Sequence, residues 1–99
     1  MRYLKSDLSD RFQDPMIIYR LVEYDQKSDT TTDDTIVIYT NLHTIENGSE
    51  SGDKEDSLVE SLITQGYKEV SKVEYEKDIK DKPKKESQLS EQIIYKKGP

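Results

Sequence analysis

The sequence predicts a small α+β fold: a four-stranded sheet with one packed helix in the order ββαββ, preceded by a short N-terminal helical arm. A β-grasp-like arrangement is one form of that fold, and a simple ββαββ layer is another. Three observations carry the prediction. Residues 16–25 are a nearly continuous apolar and aromatic run, as a central strand covered on both faces requires. Residues 57–65 carry an apolar stripe at helical spacing with a stop signal after it. Strand-like patterning resumes beyond that helix, in 67–76 and again in 91–96.

The first fifteen residues read as an amphipathic arm. Leu4, Leu8 and Phe12 stand four apart, on one face of a helix. Asp14-Pro15 ends it, because proline disfavours the helical region in the residue before it. The domain then runs over 16–98. Met16 to Asp25 form its first strand. The polar, aperiodic stretch 26–34 reads as a loop.

Thr35 to Ile45 form the second strand, with Ile36, Ile38, Thr40 and Leu42 on one side and Val37, Tyr39, Asn41 and His43 on the other. The stretch 46–56 holds Gly48 and Gly52 among acidic residues and reads as a second loop. Ser57-Leu58-Val59-Glu60 is a capping box, in which serine accepts from the third helical amide and glutamate reaches back. Leu58, Val59, Leu62 and Ile63 line one face of the helix 57–65, and Gly66 suits the left-handed residue that follows a helix.

Residues 67–76 read as the third strand, with a bulge near Ser71 reconciling Val70 with Tyr67, Val73 and Tyr75. A third loop, 77–90, contains Pro83, and 91–96 is the last strand. The expected core is Ile36, Ile38, Leu58, Leu62, Val73 and Ile93.

Composition bounds the function. Hydrophobic residues make up 31% of the 99 and charged residues 36%, against an ordinary apolar share of about 45–50%, so the core is thin. The formal net charge of −6 opposes direct binding to nucleic acid or to an anionic membrane, since both attract positive charge. Cysteine is absent, which excludes disulfides, thiolate catalysis and cysteine-built zinc sites. The opening residues lack the apolar run of a signal peptide, and nothing approaches the about 18 apolar residues of a membrane span. A cytoplasmic location follows as the expectation. Alanine and tryptophan are absent while Lys, Ile, Asp, Asn and Tyr are frequent, a usage resembling AT-rich coding in low-GC bacteria and their phages.

No catalytic set emerges. His43 is the single histidine and has no partner in a fixed motif. No G-x-S-x-G turn and no phosphate-cradling glycine loop is present. The acidic pairs Asp33-Asp34 and Glu55-Asp56 lie in stretches read as loops, without the burial that tunes a carboxylate for acid–base work. Asp53, Glu55 and Asp56 do not match the alternating ligands of a calcium loop. Asn47-Gly48-Ser49 is a glycosylation sequon in a chain without a secretory signal. No cofactor is expected, and the chain reads as a non-enzyme.

Two features point instead to a displayed surface. Glu46, Glu50, Asp53, Glu55, Asp56 and Glu60 cluster against the single Lys54, and irregular carboxylates imitate a phosphate backbone for a basic groove. Tyrosines recur through the strand-like segments, with Tyr39, Tyr67 and Tyr75 the candidates for contact, because tyrosine is enriched at interfaces. The lysines of 77–85 alternate with acids and make no nucleic-acid patch.

From Leu58 to Gly98 the chain resembles the mucin-binding repeats of Gram-positive surface proteins. The matching residues are Gly66-Tyr67-Lys68-Glu69-Val70-Ser71, the acidic stretch Asp78 to Asp81, and Gln92-Ile93-Ile94-Tyr95-Lys96-Lys97-Gly98, with Val22-Glu23-Tyr24-Asp25 resembling that family's opening strand. The resemblance implies a β-grasp-like fold and an adhesion module cut from a longer surface protein. The residues themselves point first to a small modulator or inhibitor of a host protein, of phage or low-GC bacterial origin, whose partner is a protein, with a basic, nucleic-acid-binding one as a candidate.

Overall fold

Five strands and two short helices make up the computed structural model, which describes residues 1–85. The strands are β1 (Arg2–Leu8), β2 (Met16–Asp25), β3 (Thr30–Ile38), β4 (His43–Ser51) and β5 (Lys68–Val70). The helices are α1 (Glu55–Thr64) and α2 (Lys72–Ile79). All the strands join one sheet in the order β4-β3-β2-β1-β5, every neighbour antiparallel.

That architecture corrects the expected ββαββ α+β fold. Strands of 7, 10, 9, 9 and 3 residues dominate helices of 10 and 8. The first four strands form a simple meander, and among the described residues the five strands pair only antiparallel, without the parallel strand pair of a β-grasp. The expected last strand, 91–96, and Ile93 lie outside the described residues.

The N-terminal arm is not a helix. Spacing of four also keeps residues on one face of a strand, and here Leu4 and Leu8 share a face of β1, opposite Arg20 and Met16 of β2. Leu4 is fully buried, whereas Phe12 stands 98% exposed in the loop 9–15 between β1 and β2. Asp14 takes φ 52° in that loop, a left-handed conformation that aspartate tolerates in turns.

The expected loop 26–34 shrinks to a four-residue turn with Asp29 at φ 53°. Thr30, Thr31 and Thr32 continue β3 against Asp25, Tyr24 and Glu23, consistent with the strand preference of β-branched residues. The expected loop 46–56 is likewise mostly strand. β4 runs to Ser51, and its register slips between Asp33 and Thr35, where β4 carries one extra residue.

Helix α1 starts two residues before its expected position, with Lys54 as an N-cap that makes no side-chain cap bond. Ser57 and Glu60 therefore lie inside the helix, not at its mouth. Gly66 does follow the helix, at φ 106°, the left-handed position that glycine occupies without steric cost.

The expected strand 67–76 breaks after three residues. Ser71 caps a new helix, its hydroxyl accepting from the Glu74 amide at 3.2 Å. The helical phase turns Tyr75 and Ile79 toward the sheet, and Val73, expected in the core, is 75% exposed.

The helices cover opposite faces of the sheet. Leu4 and Val22 pack under α1 with Val59 and Leu62, joined by half-buried Leu58 and Tyr67. On the other face Tyr19, Leu21, Ile36 and Ile38 pack with Tyr3, Ile17 and Val70 and with Tyr75 and Ile79 of α2. β5, between the helices in sequence, carries the chain from one face to the other at the β1 edge. No helix among the described residues is long and apolar enough to cross a membrane.

Candidate functional site

The acidic residues of the fold divide into those a cation holds and those that stand alone. Arg2, at the start of β1, donates from Nε and Nη2 to the two carboxylate oxygens of Glu69, both at 2.9 Å. It also reaches Asp56, and Glu55 at 3.9 Å. Hydrogen bonding from Arg2 holds the Glu69 carboxyl below its ordinary pKa.

Lys5, three residues on and therefore on the opposite face, donates to Glu74 at 2.9 Å and lies 2.7 Å from Asp78. The Tyr19 hydroxyl donates to the same Asp78 at 2.6 Å. Burial and then that hydrogen bond raise the Tyr19 phenol well above its usual value. Burial works to lower the Lys5 pKa, and its bonds to Asp78 and Glu74 outweigh it.

A third pair sits under the α1 face. Arg20 of β2 grips Asp33 of β3 with two bonds, the Nε–Oδ1 one at 2.9 Å, and lies 5.7 Å from the Tyr67 ring centre. Asp33 is only 6% exposed, so this bidentate pairing is what makes its burial tolerable.

The residues singled out from the sequence are thereby dispersed. Glu55 and Asp56 are engaged by Arg2. Asp53 lies in the turn before α1, where its carbonyl accepts from the Thr31 hydroxyl at 2.7 Å and its amide donates to Ser51. Glu60 is exposed on α1. Glu46 and Glu50 are both exposed on β4 but face opposite ways, since Glu46 pairs with Thr35 and Glu50 with Thr32 across the register slip.

The tyrosines serve packing more than display. Tyr75 lies between Tyr3 and Tyr19, with ring centres 5.1 and 5.0 Å away. Tyr67 is half-buried beneath Arg20. Tyr39, at the end of the hairpin, lines a shallow cleft of about 230 Å³ with Met16, Ile17, Ile38 and Lys82. His43 is structural: its Nδ1 faces the Lys82 carbonyl, and its backbone bonds Pro83 and Lys85.

A different acidic set emerges from the register. Glu23 of β2, Thr32 of β3 and Glu50 of β4 form one row across three strands. Two strand spacings separate the two glutamates, about 10 Å. Asp25 and Asp34 share that face by alternation along β2 and β3. Glu23, Asp25 and Glu50 are exposed, and Asp34 is half-buried. Among the described residues no lysine or arginine lies within ion-pairing distance of any of these four acids.

Asp34 sits hard against the β4 backbone, its Oδ1 filling the space where a Cβ on Gly48 would stand. Glycine at 48 leaves room for that carboxylate. The sequence hid this set because Glu23, Asp34 and Glu50 are far apart along the chain. Only the pairing of 30–34 as strand, signalled by three consecutive threonines, aligns them.

Three groups of His, Asp or Glu close enough to hold a metal ion do not occur among the described residues. No protein-family model, no curated protein and no solved structure matches the chain.

Proposed function

We propose that the chain is a non-enzymatic protein-binding module that engages a positively charged partner through the open acidic face of β2, β3 and β4. The observation that carries this reading is the row Glu23–Glu50 with Asp25 and Asp34, carboxylates on one sheet face without a described cation. Charge that is not consumed by the fold is available to steer a partner and to fix its register. The modulator's setting is the cytoplasm of a low-GC bacterium or of a phage-infected host, a reading supported by the cysteine-free chain and its residue usage.

The test is a titration of the full-length, ¹⁵N-labelled chain with a short polylysine peptide at low and high salt. Shifts confined to Glu23, Asp25, Asp34, Glu50 and their neighbours, weakened as salt shortens the Debye length to about 3 Å near 1 M, are expected. The triple variant Glu23→Gln, Asp34→Asn, Glu50→Gln should lose that response. Equal binding by the variant would refute the assignment of the face.

A second reading, an extracellular adhesion-type module, draws support from one local feature: helix, then Gly66-Tyr67, then the strand Lys68–Val70. Retention on immobilised mucin in salt that abolishes polylysine binding would favour it.

A further inference from the structure

Resting on the reading of a positively charged partner, we propose that the partner enters as an extended basic segment that adds one strand to the outer edge of β4. β4 ends the sheet order, so one side of its backbone faces away from β3. The hydrogen bonds identify which groups point outward. His43 donates its amide to the Pro83 carbonyl at 3.0 Å and accepts from the Lys85 amide at 2.8 Å, so both its backbone groups turn away from the sheet. In the same hairpin Tyr39 and Leu42 bond to each other across the turn, at 2.7 Å. Antiparallel pairs alternate between bonded and non-bonded. Ile45, two residues beyond His43 and opposite Ile36, therefore presents its amide and carbonyl outward too.

Beyond the register slip Ser49 and Ser51 oppose Asp33 and Thr31, and the alternation turns Glu50 outward. Among the described residues nothing takes the backbone groups of Ile45 or Glu50. The span from 45 to 50 is about 20 Å of edge at the usual strand rise. The His43 end already carries a parallel bridge to Lys84, so this edge accepts ladder geometry.

Side chains select the occupant. Natural edges are blunted by lysine, proline or inward charge, and β4 contains neither lysine nor proline. It carries Glu46 and Glu50, which repel the same edge of a second copy in a chain of net charge −6 and attract a basic strand instead. Ile45, 48% exposed, shares its face with Glu50, Asp34 and Glu23. A segment with a β-branched residue opposite Ile45 and lysine or arginine toward Glu50 complements both the apolar and the charged part of that face. This is strand addition, in which main-chain bonds supply affinity and alternate side chains supply specificity.

The experiment follows amide hydrogen exchange in the full-length chain, with a blocked ten-residue peptide alternating valine and lysine and with its glutamate-for-lysine counterpart. Exchange at Ile45 and Glu50 should slow about tenfold or more at saturating lysine peptide, because a new hydrogen bond protects each amide, and not with the glutamate peptide. Ile45→Pro removes an outward donor while sparing the β3 ladder, and should weaken the lysine peptide about fivefold, the worth of one net hydrogen bond. Glu50→Lys, a surface change that keeps the strand, should weaken it as well. Peptide-induced shifts at Glu23, Asp34 and Glu50 without slowed exchange overturn the added strand and leave the acidic-face reading standing. No shift at either place overturns both. An Ile45 amide already protected without peptide overturns the inference by showing the edge filled, by residues beyond Lys85 or, if protection rises with concentration, by a second copy.

Discussion

The two ends of the sheet use acidic side chains in opposite ways. At the β1–β5 end, Arg2 and Lys5 gather Glu69, Asp56, Glu74 and Asp78 and tie both helices to the first strand. Toward the β4 end, Glu23 and Asp25 of β2, Asp34 of β3 and Glu50 of β4 stand on an open face without a described cation. The same residue types thus stabilise one end and charge the other. What separates them is whether the topology delivers a basic strand beside them. Arg2 and Lys5 lie on β1, and β4 has no lysine or arginine.

The largest effect should come from breaking the covered end. Leu4 is fully buried beneath Val59 and Leu62, so Leu4→Ala should cost about 2–5 kcal/mol, read as the shift in a urea unfolding midpoint at constant slope. A loss no larger than that of an exposed position would contradict the packing of β1 as an inner strand. Arg20 lies between the two ends. Arg20→Ala leaves Asp33 buried without its cation and should cost about 2–3 kcal/mol, whereas the paired change Arg20→Met, Asp33→Val should recover much of it in a double-mutant cycle.

Titration sharpens the contrast further. Hydrogen bonds from Arg2 lower the Glu69 pKa, and those from Ser9 lower that of Asp7. Their stabilisation is complete above the unfolded values, about 3.9–4.3, and is lost as pH falls through the lowered folded values. Tyr19 shifts the other way, through burial and then its bond to Asp78, so its contribution holds below the unfolded value of about 10 and fades as pH rises above it. Urea midpoints should therefore fall on the acid side below about pH 4 and on the alkaline side above about pH 10. Glu69→Gln should flatten the acid limb, and an unchanged limb would remove Arg2–Glu69 as its source. Smallest of all, Val73→Lys should change stability by less than about 0.5 kcal/mol, because the side chain faces solvent. A large loss would restore residues 72–76 to a buried strand.

These outcomes bear on what the sequence could reveal. The run 16–25 and the helix ending at Gly66 were plain, because each carries an uninterrupted local pattern. β1 was not, since Leu4, Leu8 and Phe12 satisfy a helix and a strand face equally, and only pairing on both edges decides between them. α2 is equally hidden in the sequence, although Ser71 and Glu74 stand at the spacing of a capping box. The alternation of Val73 and Tyr75 masked it. The capping-box spacing of Ser57 and Glu60 is not used as one, because both lie inside the helix. The acidic face was invisible for a further reason: it depends on register across three strands, which no single segment encodes.

The pairing of Tyr3 with Val70 bears on the order of assembly. β2, β3 and β4 meet their neighbours through turns and form from nearby parts of the chain. β1 gains its second neighbour only after some sixty intervening residues are available, and ring closure over that distance is slow. The first strand is therefore expected to stay half-matched until the segment around Val70 docks, so that protease resistance of β1 should arise late in refolding, a delay that pulse proteolysis would register.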